Sequence, residues 1–448
     1  MDVIRVATLN CWGLKHVSKN RHERIAAIAD AFSNSDHDIV ALQELWVEGD
    51  YNTIQGAVSH RLPYSKRFLS GALGAGLAIF TKWPIISTSV TPYSLNGEPI
   101  DVAGGDWFVG KAVGSVTIMH PILGRVQVFD THLYAKGGES GPEYKRAHRL
   151  VNAWEFAKVI RQAAALGNYV IAMGDFNSIP NSLPMHVILG HAGLFDAWTV
   201  CNNHVSPPSE VISPVDGVVK YGITADSPLN SYRGPNPSLD PLVRQCHGKR
   251  LDYILFRQPS HPSDNTCIPK LECQDSKVIF TTLIPGNDCS FSDHFGVEAT
   301  FVIGMPEAVN GPAPETTNVL KSTASIWARE TSEMSTTTVS AVLGALQVAY
   351  RVSLGRSRRE LVTFALCILA LLVLMVGSVG LAVSWANPIL VLLTIAITWL
   401  ATTMLYEGFL FGNWERRALR STLEELELHK QVLAGKYPQE GFGVQTHQ

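Results

Sequence analysis

The sequence predicts an α+β fold in which two sheets pack as a sandwich, followed by a two-helix transmembrane hairpin. Three observations carry the prediction. Apolar runs of strand length recur through the first 303 residues with few helical stretches between them, and most end in polar residues. That pattern favours a two-sheet sandwich over a doubly wound parallel sheet. From Gly304 to about Val339 Pro, Thr, Ser, Glu and Asn dominate with little apolar period, the composition of a linker. Leu361 to Tyr406 then holds no charged residue over 46 positions, which fits two spans of ~20 residues and a turn.

The totals set bounds. A chain of 448 residues has room for a large domain plus appendages. A net charge of −3 gives no bulk basic field, so no nucleic-acid partner is expected. The seven cysteines are scattered without a C-x-x-C pair, indicating neither a zinc site nor a disulfide framework. No signal peptide precedes the strand-like run at Val3, and Asn236-Pro237-Ser238 is ruled out as a glycosylation acceptor by its proline. A reducing, cytosolic setting is the expectation.

Taken in order, Val3 to Leu9 forms a strand that presents Asn10, and Arg21 to Phe32 has helical apolar spacing through Ile25, Ile28 and Phe32. Asp38 to Leu42 is a short buried strand ending in Gln43-Glu44. A strand opens at Gly74 and runs to Phe80. A glycine-rich loop then carries Trp107 and Phe108 between Asp106 and Lys111, and reads either as a lid at a membrane surface or as a plain connection. Ser115 to Met119 is a strand, and Val126 to Thr131 alternates cleanly into His132. Tyr144 to Leu166 reads as a long helix with Leu150, Trp154, Val159 and Ile160 inward. The run Asn168 to Met173 delivers Gly174-Asp175-Phe176-Asn177, with the glycine permitting close backbone approach to a bound group. After a loop-rich stretch, Lys249 to Phe256 carries Asp252, and Ser292-Asp293-His294 precedes a last strand from Val297 to Ile303.

Beyond the linker, Ser340 to Tyr350 is apolar enough for a surface or membrane-interface helix. Arg356, Arg358 and Arg359 precede the uncharged stretch, and Arg416, Arg417 and Arg420 follow it. Basic flanks at both ends place both on the cytosolic side, so the hairpin enters and returns, turning near Asn387-Pro388. Ser421 to Val432 reads as a separate charged helix, with Ser421 and Glu424 spaced as a capping box. The expected divisions are a catalytic domain 1–303, a linker 304–339, an interfacial helix with basic flank 340–360, a hairpin 361–406 and a cytosolic tail 407–448.

Asn10, Glu44, His132, Asp175, Asn177, Asp252, Asp293 and His294 all stand at or beside predicted strand ends. Each has an ordinary structural explanation singly, but eight together point to one site. Carboxylates, carboxamides and histidines without a thiolate suit a hard cation such as Mg²⁺. Histidines with carboxylate neighbours supply a general base near neutral pH. The set supports metal-assisted attack of water on a phosphodiester.

Leu9-Asn10-Cys11-Trp12-Gly13, Gln43-Glu44, Asp130-Thr131-His132-Leu133, Gly174-Asp175-Phe176-Asn177, Leu251-Asp252-Tyr253 and Ser292-Asp293-His294, in this order, resemble the endonuclease/exonuclease/phosphatase superfamily. Within it the chain resembles the neutral sphingomyelinases and the fungal inositol phosphosphingolipid phospholipases C. The resemblance implies a DNase I-like four-layer α/β/β/α sandwich. It also implies a phosphoric diester hydrolase that releases ceramide and a phosphorylated headgroup from a phosphosphingolipid in the bilayer. It makes Glu44 the principal ligand of Mg²⁺ (Mn²⁺ being the substitute), assisted by Asn10. Asn177 would orient the phosphate with Asp175 beside it, and His294, held by Asp293 or Asp252, would activate water. His132 would stabilise phosphoryl charge, and Asp106 with Lys111 would form an acid–lysine substrate-access switch. Membrane lipids, with anionic phospholipid as a candidate activator, are the expected partners. The organelle is left open between the endoplasmic reticulum, other endomembranes and the mitochondrial outer membrane. The competing reading is a nuclease or deadenylase of the same superfamily.

Overall fold

Alternation along the first strand sets the layering. In the computed structural model, which describes residues 2–434 except 103, 139–140, 203–207, 209, 234–239, 261–267, 305–333 and 381–384, β1 (Val3–Asn10) turns Ile4 and Val6 toward a second sheet and Ala7 and Leu9 toward helices. A strand's two-residue side-chain period requires this split. The helices are α1 (Arg21–Ser33) and α2 (Glu48–Val58), whose Ile25, Ile28, Phe32, Ile54 and Val58 cover the outer face. β2 (Ile39–Gln43), β3 (Tyr64–Phe68) and β4 (Leu77–Thr81) complete this side of the sheet.

The second sheet contains β5 (Ile85–Pro92), β6 (Ala112–His120), β7 (Gly124–His132) and, after α3 (Glu143–Ala165), β8 (Tyr169–Asp175). α4 (Leu183–Ala192), β9 (Phe195–Asp196), α5 (Ala197–Cys201), α6 (Pro214–Tyr221) and α7 (Pro241–Gln245) lead to β10 (Asp252–Arg257). β11 (Lys270–Ile279) and β12 (Gly296–Gly304) return to the first sheet. The strand orders are β11-β12-β1-β2-β4-β3 and β5-β6-β7-β8-β10-β9. Ile4, Val6, Val128, Ile171, Met173 and Phe301 fill the space between the sheets, while Leu150, Trp154 and Ile160 of α3 cover the outer face of the second. The result is a four-layer α/β/β/α sandwich.

Register explains why one edge collects the polar residues. β1 runs parallel to β2 and β7 parallel to β8, so Asn10, Gln43, His132 and Asp175 all end on the same side. β10 and β12 run antiparallel to β8 and β1 and therefore begin there, bringing Asp252 opposite Asp175 and His294 two residues ahead of β12.

The C-terminal part differs from the expected divisions. The expected linker lies outside the described residues from 305 to 333, but positions 336–339 already belong to α8 (Thr336–Ser378). This single helix joins the expected interfacial helix to the first apolar span. Its first turns bury Val339, Val342, Leu346 and Ala349 in the same core as Trp154 and Ile160, so that half is docked on the domain. That helix ends at Ser378 and the next begins at Ala386, ahead of the expected turn. Asn387 and Pro388 lie in the first turn of α9 (Ala386–Leu405), where a proline's missing N–H is no loss. A π-helical turn, Tyr406–Phe411, carries the chain without a break into α10 (Gly412–Leu433). Ser421 is therefore interior, and Glu424 pairs with Arg420 at 2.7 Å instead of closing a capping box. Residues 412–433 are no free tail, because Leu419 and Leu426 pack into the core of the second sheet's outer face. Among the described residues, two helices are long and apolar enough to cross a membrane, and their apolar stretches are almost wholly exposed.

Candidate active site

Asn10 ties the two sheets together at the site. Its Nδ2 donates to Glu44 Oε1 at 3.1 Å and to Asp175 Oδ2 at 3.0 Å, while its Oδ1 accepts from the Trp12 backbone at 3.0 Å. The turns that follow β1, β2 and β8 hold Trp12, Glu44 and Asn177 at φ of 46°, 56° and 46°. Non-glycine residues in this left-handed region cost roughly 1–3 kcal/mol each, a strain concentrated where function is expected. Gly174, at φ 145°, makes a close approach, but not to a bound group as the sequence suggested. An added Cβ would lie 2.0 Å from the Thr131 carbonyl oxygen of the neighbouring strand. The glycine serves strand packing.

Asp175 Oδ1 accepts the Asn177 backbone N–H at 2.9 Å, and Asn177 Nδ2 donates to the Leu133 carbonyl at 3.0 Å, which places this carboxamide beside His132. His294 Nδ1 lies 2.8 Å from Asp252 Oδ2. Of the two acids proposed to hold this ring, Asp252 makes the bond. Asp293 instead accepts from the Ser292 hydroxyl at 3.2 Å. Lys111 is buried with its ammonium 3.0 Å from Asp106 Oδ1, 2.8 Å from the Leu133 carbonyl and 3.2 Å from His132 Nε2. The acid and lysine are thus paired, and the lysine reaches the site. The Trp107 ring of the same loop packs edge-on against Phe411 at 5.1 Å, whereas Phe108 is exposed.

The electrostatics follow from crowding. Burial, aided by Asp293, pushes the Glu44 carboxyl up to about 7 against the Asn10 hydrogen bond. Burial raises Asp175 to about 6 with His294 opposing, and burial raises Asp293 as well. His294 moves well above the usual imidazole range: burial alone would lower it, but Asp252, Asp175 and Asp293 outweigh that. Burial, with Lys111 and His294 nearby, holds His132 well below its usual value. Asp175, Asp252 and His294 each offer a ligand atom within 4.8 Å of the others. Asp252 Oδ1 is buried without a hydrogen-bond partner. An oxygen-rich set with an orphaned carboxylate oxygen fits a hard divalent cation.

Two further features hold the site. Arg24, fully buried on α1, donates to the carbonyls of Cys11 at 2.7 Å, Trp12 at 2.7 Å and Phe291 at 3.2 Å, binding the loop after β1 to the loop before His294. Gln43 Nε2 donates to Thr8 Oγ1 at 2.9 Å and Asp130 Oδ1 at 2.7 Å between the sheets, where burial raises the Asp130 carboxyl well above its ordinary value. An arginine next to Ile25 on the inner side of a helix was the one sequence signal for the first. Gln43 and Asp130 lay within recognised motifs without an assigned role.

A sandwich with this polar edge, a histidine–carboxylate pair and crowded carboxylates has the make-up of a hydrolase of phosphate esters, with a cluster that could hold a metal. Residues 7–294 match the Endonuclease/Exonuclease/phosphatase family, and the chain belongs to it. Along nearly its whole length it is similar to inositol phosphosphingolipids phospholipase C of Schizosaccharomyces pombe, 36% identical over 95% of this chain and 94% of the relative. The Saccharomyces cerevisiae protein of the same name is 31% identical over 98% of this chain and 91% of its own length. Sphingomyelin phosphodiesterase 2 of Homo sapiens is 29% identical over 69% of this chain and 68% of the relative.

Proposed function

We propose that the chain is a membrane-anchored, Mg²⁺-dependent phospholipase C that hydrolyses phosphosphingolipids, inositol phosphosphingolipids or sphingomyelin, to ceramide and a phosphorylated headgroup. The observation that carries the reading is the His294–Asp252 pair at 2.8 Å beside the Asn10–Glu44–Asp175 cluster. Glu44 and Asn10 are the residues to hold Mg²⁺, which when bound would neutralise phosphoryl charge. With Nδ1 fixed by Asp252, the neutral form of His294 uses Nε2 to take a proton from water; the surrounding carboxylates stabilise the imidazolium that results and shift the activity requiring the neutral ring to higher pH. Lys111, Asn177 and His132 converge near the Leu133 carbonyl and supply donors toward phosphate oxygens.

The apolar hairpin supports a lipid substrate, because it keeps the site next to molecules that remain in the bilayer and so raises their effective concentration. Basic residues on both flanks favour a cytosolic position for the catalytic domain. Arg356 is engaged by Glu98 and Glu415, which leaves exposed Arg358, Arg359 and Arg417 to attract anionic lipid, worth ~1 kcal/mol each near the surface.

The test is ceramide release by the purified full chain from sphingomyelin and from inositol phosphoceramide, with and without Mg²⁺. Glu44→Ala and His294→Ala should each abolish release while the protein stays with the membrane fraction. Full activity of either variant, or nucleotide release from DNA or RNA without ceramide release, would overturn the proposal.

A further inference from the structure

Large apolar side chains stand exposed at the mouth of the site. Leu69 and Leu73 belong to the turn between β3 and β4, and Ile100, Val102 and Phe108 to the connection between β5 and β6. Both connections lie at the site's edge of the sandwich. β4 starts beside the end of β2, and β6 starts beside Thr131 at the end of β7. The two are joined into one lip: the Leu73 N–H donates to the Phe108 carbonyl at 3.3 Å and the Gly110 N–H to the Gly74 carbonyl at 2.9 Å. Gly71 and Gly110 touch so closely that a Cβ on Gly71 would meet the Gly110 Cα at 2.6 Å. Lys111, the next residue, enters the site.

The lip is also fixed at a defined height on the hairpin. The Ile100 backbone faces Glu407, the first charged residue after the uncharged stretch 361–406. Glu98 pairs with Arg356, one turn before that stretch begins, and Trp107 packs on Phe411 just beyond its end. Ile100 and Val102 therefore sit level with the boundary where the helices change from charged to wholly apolar. An exposed apolar cluster at that level is continuous with the surface the hairpin presents to lipid.

We infer that residues 69–74 and 98–102 with Phe108 form an interfacial lip that dips into the headgroup–acyl boundary of the leaflet the hairpin enters. The site then opens onto the bilayer, and a lipid headgroup reaches Lys111 without its chains leaving the membrane. This rests on the reading of the hairpin as membrane-spanning.

The experiment uses the full chain, with Cys201, Cys267 and Cys273 changed to Ser, reconstituted in phosphatidylcholine vesicles containing a lipid spin-labelled near the headgroup or, for the hairpin label, midway along the acyl chain. An environment-sensitive fluorophore is attached through Val102→Cys or Leu73→Cys, through Val373→Cys in the hairpin, and through Met119→Cys at the opposite end of β6. The labels at 102 and 73 should be quenched several-fold more than the label at 119. Quenching at 373 with labels at 102 and 73 matching the one at 119 would overturn the lip and leave the hairpin reading standing. Shielding of 102 and 73 from aqueous iodide without lipid quenching would mean a second protein copy covers the patch, which also overturns the lip. A hairpin label that lipid does not quench would remove both readings. Independently, Ile100→Glu combined with Val102→Glu should raise the surface KM about tenfold with kcat kept, the scale expected for two lost partial burials. An unchanged KM would count against the lip.

Discussion

Replacing Glu415 should release the C-terminal helix from the catalytic domain. Its carboxylate, 5% exposed, lies 3.0 Å from His148 Nε2 and also binds Arg356 and Ser353, so one side chain on α10 clamps α3 and α8. Burial alone would raise this carboxyl, but His148 and Arg356 outweigh it and hold it at about 2. Two charge-assisted bonds of roughly 1.5–3 kcal/mol and one neutral bond of ~1 kcal/mol are lost in Glu415→Ala. Arg356 keeps Glu98, with Glu360 at 3.7 Å, so its guanidinium is not stranded. Partial compensation reduces the expected cost to about 3 kcal/mol, or roughly a hundredfold in the constant for local opening. Amide hydrogen exchange on the full chain in vesicles reads this directly. The amides of α10 should exchange about a hundredfold faster while those of β8 are unchanged. Because the folded carboxyl is depressed, its contribution is complete above about 4.5 and disappears as the pH falls toward 2, so the difference should be full at pH 7. An acceleration below threefold in α10, or an equal one in β8, would refute the reasoning.

Other perturbations test the site and its supports. Asp252→Asn leaves the His294 ring with a neutral partner, and kcat for ceramide release should fall about 10²–10⁴-fold with little change in KM, as a lost general base predicts. Gly174→Ala forces a Cβ to within 2.0 Å of a carbonyl oxygen at φ 145°. At a cost of ~3 kcal/mol and about 2–4 °C per kcal/mol, the melting temperature should drop by about 6–12 °C. His191, against Trp154 and His429, is lowered to about 3, first by burial and then by Arg161, His429 and Lys158. A histidine held neutral in the fold contributes stability above its unfolded value near 6.5 and loses it as pH falls toward 3. The melting temperature should therefore drop between pH 7 and pH 5, and drop less in His191→Phe.

The strands and the polar cluster at their ends were legible because local pattern carries them. Val3–Asn10 alternates between two buried faces, and each metal or base candidate is a polar residue ending an apolar run. What local pattern omits is partnership over distance. Arg356, Arg358, Arg359 and Glu360 looked like the boundary between two helices, yet α8 runs through them. Arg356 finds Glu98, 258 positions away, and Glu415, 59 positions away. Glu407 and Glu415 read as tail charges for the same reason. Asp252 and Asp293 were equivalent candidates for holding His294 until strand pairing placed Asp252 opposite Asp175.

On the proposed membrane anchoring, the continuity of α8 sets how the enzyme meets its substrate. At 1.5 Å per residue its 43 residues make a rod of about 65 Å, docked at one end and apolar at the other. A leash would let the catalytic domain wander over many patches of lipid; a rod holds the mouth at one spot and one height. Supply then becomes a two-dimensional problem. The rate of an enzyme held in this way follows the mole fraction of substrate in its leaflet and the speed of lateral diffusion. Adding inert lipid to the same vesicles slows it, even when the substrate per litre of suspension is unchanged.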